Sequence, residues 1–516
     1  MQLRFQEFDD FIVFDKAYGL RTHRVSDGQL GLIDFLAQKL DMPLFVAQQL
    51  DKETSGVMVF AKSKEAAKKL NEIFDKGQST ETYFFLTDQK KTETAFTVKT
   101  HIGRTQKSLA NIPGQTPNSQ TDFEFVREIG AHFLWKATPK TNIPHQIRLH
   151  AAFSRIAILG DAEHKGSAYF RLALHGQKLQ FTLNDVSHSF ESELPPCLKE
   201  NSLTGLDGLL EESFHKRHQL YKMDPDESYR LIHLENDLIR ADIFADRLWV
   251  YDYTKNKMSD SDRESIEKFA AKKSLTPVIR HMPDRGQGVG GLDDDTSESQ
   301  AHLNWVAQEE KVSYLLKLDS GFSPGLFLDQ HESRKWVREN CFGKRVLDLF
   351  SYTGGFSVNA AKGLAKEVVS VDVSEKFIEW SKENFALNRI DESKAEFNAQ
   401  EVTFFLKGAI KEDRQWDLII CDPPAFGRSK EDGIWKLENE LSQMVYLIFQ
   451  CLEKNGEILF SCNLDQRTRE EVLEIFIKKL PEKKIEIIRM PMQSLDFELP
   501  DDLTNLTKGF IVKRLS

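Results

Sequence analysis

Cysteine is scarce in this chain, at 5 of 516 residues. Cys197, Cys341, Cys421, Cys451 and Cys462 are scattered and show no CxxC spacing. That excludes a disulfide-stapled scaffold and a cysteine zinc site, so no metal is expected. Long apolar runs are missing as well. None reaches the roughly 20 residues a spanning helix needs, so no membrane partner is expected. The opening stretch MQLRFQEFDDFIVFDKAYGL carries acids where a secretory signal needs a basic and then an apolar region. A cytoplasmic protein is the expectation. Excess positive charge is the third absence, the formal net charge being −11. Residues 1–195 carry 24 Lys and Arg against 23 Asp and Glu, and the remainder carries 45 against 57. A whole-surface attraction to nucleic acid is thereby excluded, and an RNA partner would need a local basic groove. Composition leaves the oligomeric state open.

A chain of 516 residues is too long for one core and should divide into several domains. The polar, Pro-broken ESELPPCLKENS (191–202) marks a first boundary. The Gly- and Asp-rich MPDRGQGVGGLDDDTSESQ (282–300) reads as a long loop. Between them, YRLIHLENDLIRADIFADRLWVYDYT reads as an antiparallel meander, followed by a capped helix, DSDRESIEKFAAKK. The expected division is 1–195, a small β-rich α+β middle segment over 196–305, and 306–516. In the last part, KRVLDLFS, EVVSVDVS, WDLIICDPP and GEILFSCN are continuous apolar strand runs alternating with helical stretches. Such alternation indicates a parallel sheet covered on both faces, an α/β Rossmann-like fold.

The chemistry-bearing residues of that part lie at strand ends. Asp348 closes one strand, and Gly354 and Gly355 then open a helix, where glycines permit close backbone approach to a ligand. Asp372 closes the next strand, placed to accept from ribose hydroxyls. The loop lacks the GxGxxG spacing of dinucleotide sites. Asp422, Pro423, Pro424 and Phe426 follow a third strand, at the rim where open α/β sheets bind ligands. The two prolines stiffen the corner, and Phe426 offers a face for stacking a base. Cys462 follows the next strand. Methylation at carbon 5 of a pyrimidine needs a thiolate to add at carbon 6, whereas a buried spectator thiol is the alternative.

These motifs resemble the class I S-adenosylmethionine-dependent methyltransferases, and DPPAF is similar to the Asp-Pro-Pro-aromatic motif of those that modify nucleic acids. The resemblance implies S-adenosylmethionine as cofactor, Glu401 facing its adenine edge, and a base held against Asp422 and Phe426. Residues 310–516 with the preceding meander look like the large-subunit ribosomal RNA methyltransferases. LFSYTGGFSV and FSC are shared with a branch acting at carbon 5 of cytosine, with Cys462 as its nucleophile. The meander, GLFLD and DPPAFGRSK are shared with a branch acting at N7 of guanine, which has Asn at that place and needs no thiolate. GLFLDQHESRKW, with Asp329 and Arg334, matches both.

Residues 1 to about 190 resemble the RluA-type ribosomal large-subunit pseudouridine synthases, an α+β fold. FIVFDKAYGLRTH matches their opening turn, with Ala17 in place of proline. LDKETSG carries the nucleophile position, Asp51. ETYFFL supplies Tyr83, which packs on the target base, and HQIRLH supplies Arg148, the ion-pair partner of the Asp. The departures cluster. Gln48 and Gln49 stand for His-Arg, Thr141-Asn142-Ile143-Pro144 for Thr-Gly-Arg-Thr, Glu81 for Lys, and His164 at about the place of a late Tyr. Three of the changed positions, Gln49, Ile143 and Glu81, lose cations suited to RNA phosphates. The resemblance implies a two-activity enzyme acting on ribosomal RNA. The alternatives are one working methyltransferase with an inert RNA-docking domain, and a small-molecule methyltransferase.

Overall fold

The computed structural model describes residues 5–24, 30–106, 108–199, 205–221, 226–282, 304–321, 323–424, 426–429, 433–462, 467–478, 480, 485–488, 493–497 and 508–515. The expected loop at 283–300 lies outside them. The chain forms two compact units. The first takes Met1–Asp224, Glu235–Asp237 and Asn256–Pro277, and the second takes Pro225–Leu234, Leu238–Lys255 and Val278–Ser516. The 196–305 segment, expected as a middle domain, is thus shared between them. The Pro-broken stretch near 195 packs as part of the first unit. Cys197 and Leu198 are buried, and the Cys197 amide donates to Glu212 Oε1 at 2.7 Å. A polar sequence conceals that anchor.

The first unit is built on one mixed sheet. Its site-bearing strands are β1 (Phe11–Lys16), β2 (Ser55–Ala61), β3 (Thr80–Thr87) and β4 (His132–Pro139), with helix α1 (Gln146–Phe153) and strand β5 (Leu174–Leu183). The order along the sheet is β1-β2-β5-β3-β4, and the pairing is antiparallel except between β2 and β5. β2 is buried along its whole length, hence its unbroken apolar sequence. At the β2–β5 crossing Gly56 has φ +131°, and a Cβ there would stand 2.2 Å from the Gly176 carbonyl oxygen, so only glycine fits.

The second unit holds the expected meander at Ser228–Ile232, Ile239–Phe244 and Arg247–Asp252. Its main sheet has seven strands. Those that matter are β6 (Arg345–Leu349), β7 (Glu367–Asp372), β8 (Trp416–Cys421) and β9 (Leu452–Cys462), with α2 (Gly355–Lys362) after β6 and α3 (Glu375–Leu387) after β7. β7, β6, β8 and β9 run parallel side by side, and the two further strands beyond β9 are antiparallel. β6 therefore has a later strand on each side. The chain order reverses beside it, and such a reversal opens the crevice in which doubly wound sheets bind ligands. The period of two divides each strand between faces. Leu347, Val369, Ile419, Cys421, Phe460 and Cys462 belong to one core. Val346, Val368, Leu418, Ile420 and Leu459 belong to the other.

Candidate active sites

In the first unit, Asp51 heads a tight turn closed by the Thr54 amide donating to the Asp51 carbonyl at 3.1 Å. Lys16, fully buried at the end of β1, locks this turn. Its Nζ donates to the carbonyl oxygens of Asp51, Lys52 and Thr54 at 3.1, 2.8 and 2.6 Å. Burial lowers the ammonium to about 7, against the pull of Glu53 and Asp51. An inward lysine in the apolar run FIVFDK was a signal that sequence reading passed over.

Arg148, on α1, reaches Asp51 as expected, with Nη1 donating to Oδ2 at 3.4 Å. Its stronger partner is one the sequence reading missed. Nε and Nη2 donate to the two oxygens of buried Asp161 at 2.8 and 2.7 Å, a bidentate pair. Nη2 also donates to Glu163 Oε2 at 2.8 Å. Burial opposes the charge, but Asp161, Asp51 and Glu163 outweigh it and hold the guanidinium above its ordinary range.

Tyr83 is buried on β3, and its hydroxyl donates to Glu81 Oε2 at 2.6 Å. Burial raises the phenol well above its usual value, helped by Glu81 and Asp51. Burial likewise raises the Glu81 carboxyl, opposed by hydrogen bonds from Tyr83 and Gln48. One departing residue, Glu81, has thus become the partner of both the tyrosine and another departing residue, Gln48. Asp51, Glu81, Tyr83, Ile143, His145 and Arg148 face an open cleft.

In the second unit, the acidic residues at the strand ends converge on one sheet face. Ser357 donates to Asp348 Oδ2 at 2.6 Å and lies 2.7 Å from Ser370. Burial pushes the Asp348 carboxyl up to about 7 against that hydrogen bond. Asp372 accepts from the amides of Tyr352 and Ser374 at 3.0 and 2.9 Å, and burial raises its carboxyl too. Asp422 accepts from Ser461 Oγ at 2.5 Å and from Gln330 Nε2 at 3.3 Å, and burial pushes it up to about 7. Gln330 also donates to Ser461 Oγ at 3.1 Å. Neither Gln330 nor Ser461 was anticipated, although strand alternation could have selected Ser461. It lies on the opposite face from Cys462, next to Asp422.

Cys462 itself is 1% exposed, packed in the other core with Cys421 and Phe460. The structure does not bring it to Asp422. Glu401, on the surface, caps the helix Val402–Lys411, accepting from the amides of Thr403 and Phe404 at 3.0 and 2.8 Å. Pro423 is buried and Pro424 exposed. Phe426 opens the short strand Phe426–Ser429, and its side chain lies outside the described residues.

The glycine pair serves a purpose other than the expected one at its first member. Gly354 has φ +79° and caps α2, and a Cβ there would stand 2.0 Å from Ser381 Oγ on α3. It is required by the turn and by helix packing. A Cβ on Gly355 would meet nothing closer than 3.5 Å. Phe350 and Tyr352 in the same loop have φ of +61° and +49°, conformations that bulky residues rarely adopt. Arg334 anchors the preceding segment by donating to both oxygens of buried Glu309 at 2.7 and 2.6 Å. Burial opposes the charge of Glu309, yet Arg334 and His331 hold its carboxyl down at about 2.

Residues 10–153 match the family model for RNA pseudouridylate synthase, and residues 294–485 match that for S-adenosylmethionine-dependent methyltransferase. The two matches fall on separate stretches of the chain. Among curated relatives, ribosomal RNA large subunit methyltransferase K of Neisseria meningitidis serogroup B is 32% identical over 231 residues, covering 43% of this chain and 65% of that protein. Ribosomal RNA large subunit methyltransferase K/L of a Shewanella species is 30% identical over 281 residues, 52% of this chain and 38% of that one. The chain thus spans less than two thirds of either relative. The crystal structure of SMU.776 complexed with SAH superposes at a TM-score of 0.52 with 24% identity, over 66% of this chain and 88% of that one. That likeness establishes the fold. Among the described residues no helix is long and apolar enough to cross a membrane.

Proposed function

We propose that this protein methylates a base of large-subunit ribosomal RNA with S-adenosylmethionine and converts a uridine to pseudouridine at Asp51. The observation that carries the first activity is the meeting of Asp348, Asp372 and Asp422 on one face at the strand ends beside β6. The residues fit such a cofactor. Carboxylates suit a sulfonium and an ammonium group, Asp372 suits ribose hydroxyls, and buried Ser351 Oγ has no partner among the described residues. When bound, S-adenosylmethionine supplies an electrophilic methyl group. Gln330 and Ser461 hold Asp422 in one orientation, so that the stiff Pro423-Pro424 corner presents a fixed edge to the base. Burial of Cys462 on the far face supports transfer to a ring nitrogen with its own lone pair, as at N7 of guanine, over addition at a cytosine carbon. The printed names of the curated relatives support ribosomal RNA as substrate.

For the second activity, the Arg148 guanidinium holds the Asp51 carboxylate at 3.4 Å inside the cleft. The carboxylate bonds to the ribosyl-uracil unit and the bond from the sugar to N1 breaks. The base turns and rejoins the sugar through carbon 5, the Asp51 carboxylate is released, and the proton lost from carbon 5 is matched by one taken up at N1. Flipping the uridine costs roughly a few kcal/mol, which stacking on Tyr83 would offset. One observation favours the second reading, an inert docking domain: the Tyr83 hydroxyl is bonded to the Glu81 carboxyl. Mass spectrometry of ribosomal RNA nucleosides from cells with and without the gene decides both. The expected result is loss of one methylated base and one pseudouridine, with Asp51→Ala removing only the pseudouridine. Unchanged pseudouridine would leave the first unit as a binding module, and an unchanged methyl inventory would overturn the first activity.

A further inference from the structure

The rim of the Asp51 cleft holds a second constellation, made of residues that the cysteine-based exclusion of metals could not see. His145 precedes α1 in a left-handed conformation (φ 59°), which turns its ring toward the one-turn helix Ala162–His164. His145 Nδ1 and His164 Nε2 face each other at 3.3 Å. Glu163 Oε2 stands 3.6 Å from the first nitrogen and 3.9 Å from the second.

These distances have a geometric meaning. Two ligands about 2.1 Å from a tetrahedral zinc ion stand about 3.4 Å apart. The two imidazoles already have that spacing, and Glu163 needs to close by a few tenths of an ångström. Its side chain is 64% exposed, and to close it would have to exchange the 2.8 Å hydrogen bond from Arg148 Nη2 for the ion. Two neutral imidazoles and one carboxylate are a common catalytic or open zinc ligand set, and imidazole also suits other late first-row divalent ions.

Electrostatics decide whether a cation would be welcome. Arg148 opposes it, with Nη1 at 3.5 Å from His145 Nδ1. Three carboxylates surround that guanidinium, however: Asp161, Glu163 and Asp51. Buried Asp161 pairs bidentately with Arg148, and the Asp51 and Glu163 carboxylates stand beside that pair, with Lys16 behind Asp51. Carboxylates in excess over cations suit a divalent ion. The far nitrogen of His145, Nε2, is 3.9 Å from Asp51 Oδ2, so an ion on Nδ1 would stand one ring away from the nucleophile position. Carboxylate–histidine–metal relays have this order.

We propose that His145, Glu163 and His164 bind a divalent transition-metal ion, zinc or its like, at the rim of the Asp51 cleft. The ion keeps an open position that accepts an oxyanion. It restores positive charge to a pocket where Gln49, Glu81 and Ile143 stand in place of cations. The oxyanion role rests on the first unit being an RNA site; the binding of the ion does not.

The test uses the full-length protein stripped with a chelator and titrated with Co²⁺, then with Zn²⁺ by calorimetry. One equivalent of Co²⁺ with visible d–d bands is expected. His164→Tyr, which installs the residue type of the resembling family, should weaken binding about tenfold or more, and Glu163→Gln, at an exposed position, should also weaken it. Asp51→Asn should retain the ion. The five cysteines are buried and would not compete. Absence of binding, or equal binding by the parent and His164→Tyr, would overturn the site. Inorganic phosphate should shift the cobalt bands, and unchanged bands would overturn the oxyanion role while leaving the nucleoside measurements untouched.

Discussion

Single residues in this protein act through partners that chain position does not reveal. Ser461 and Cys462 are neighbours, yet strand alternation sends one to Asp422 and the other into the core. Ser461→Ala should therefore lower methyl transfer about tenfold, roughly the 1.4 kcal/mol expected for losing a hydrogen bond to a buried carboxyl group. Cys462→Ala should leave it within about twofold. Single-turnover methylation of ribosomal RNA from a deletion strain reads both, and a collapse in Cys462→Ala would restore the thiolate mechanism. Arg148→Ala strands Asp161, which is 1% exposed. Such an unpaired buried charge costs about 3–5 kcal/mol, so the first unit's urea midpoint should drop sharply. Asp51, Tyr83 and Arg148 were legible in the sequence because each sits in a dense local motif. Lys16, Asp161, Gln330 and Ser461 were not, because their roles depend on residues far away in the chain.

At the level of elements, the glycine pair separates two effects. Gly354→Ala forces a side chain into a left-handed turn and onto Ser381 Oγ at 2.0 Å. The conformation alone costs about 1–2 kcal/mol, and the clash adds to it. Gly355→Ala meets only ordinary contacts and should stay within about 1 kcal/mol of the parent. Denaturant titration of the two variants distinguishes this from a loop in which both glycines serve ligand approach, where the two would be equally stable. The four strands and the helix over Asp260–Lys273 were legible from apolar period and capping, with Ser259 accepting from the Asp262 amide at 3.1 Å. The burial of the 195–199 region was not, because its anchor is Glu212, on a later helix.

At the level of the whole molecule, two carboxyls near pH 7 make cofactor binding a titration. Asp348 and Asp422 are each raised to about 7 by burial. A raised acid favours its protonated form in the fold, so the stability this confers is present at low pH and lost as pH climbs toward 7. A cationic ligand prefers the ionised form. Affinity for S-adenosylmethionine should therefore rise between about pH 6 and pH 8 and then level off, whereas S-adenosylhomocysteine, which keeps the ammonium but lacks the sulfonium charge, should show a smaller change. Calorimetry with both ligands checks this, and parallel profiles would refute it. The sequence by itself determined the strand-by-strand character of both units, their family likenesses and the strand-end positions of Asp348, Asp372 and Asp422, because apolar period and local motifs are short-range properties. Only the tertiary structure decided that Cys462 faces away from Asp422, that Glu81 holds Tyr83, and that two histidines 19 residues apart meet at 3.3 Å. Those outcomes depend on which distant segments pack together, and side-chain chemistry along one stretch of chain carries no record of that.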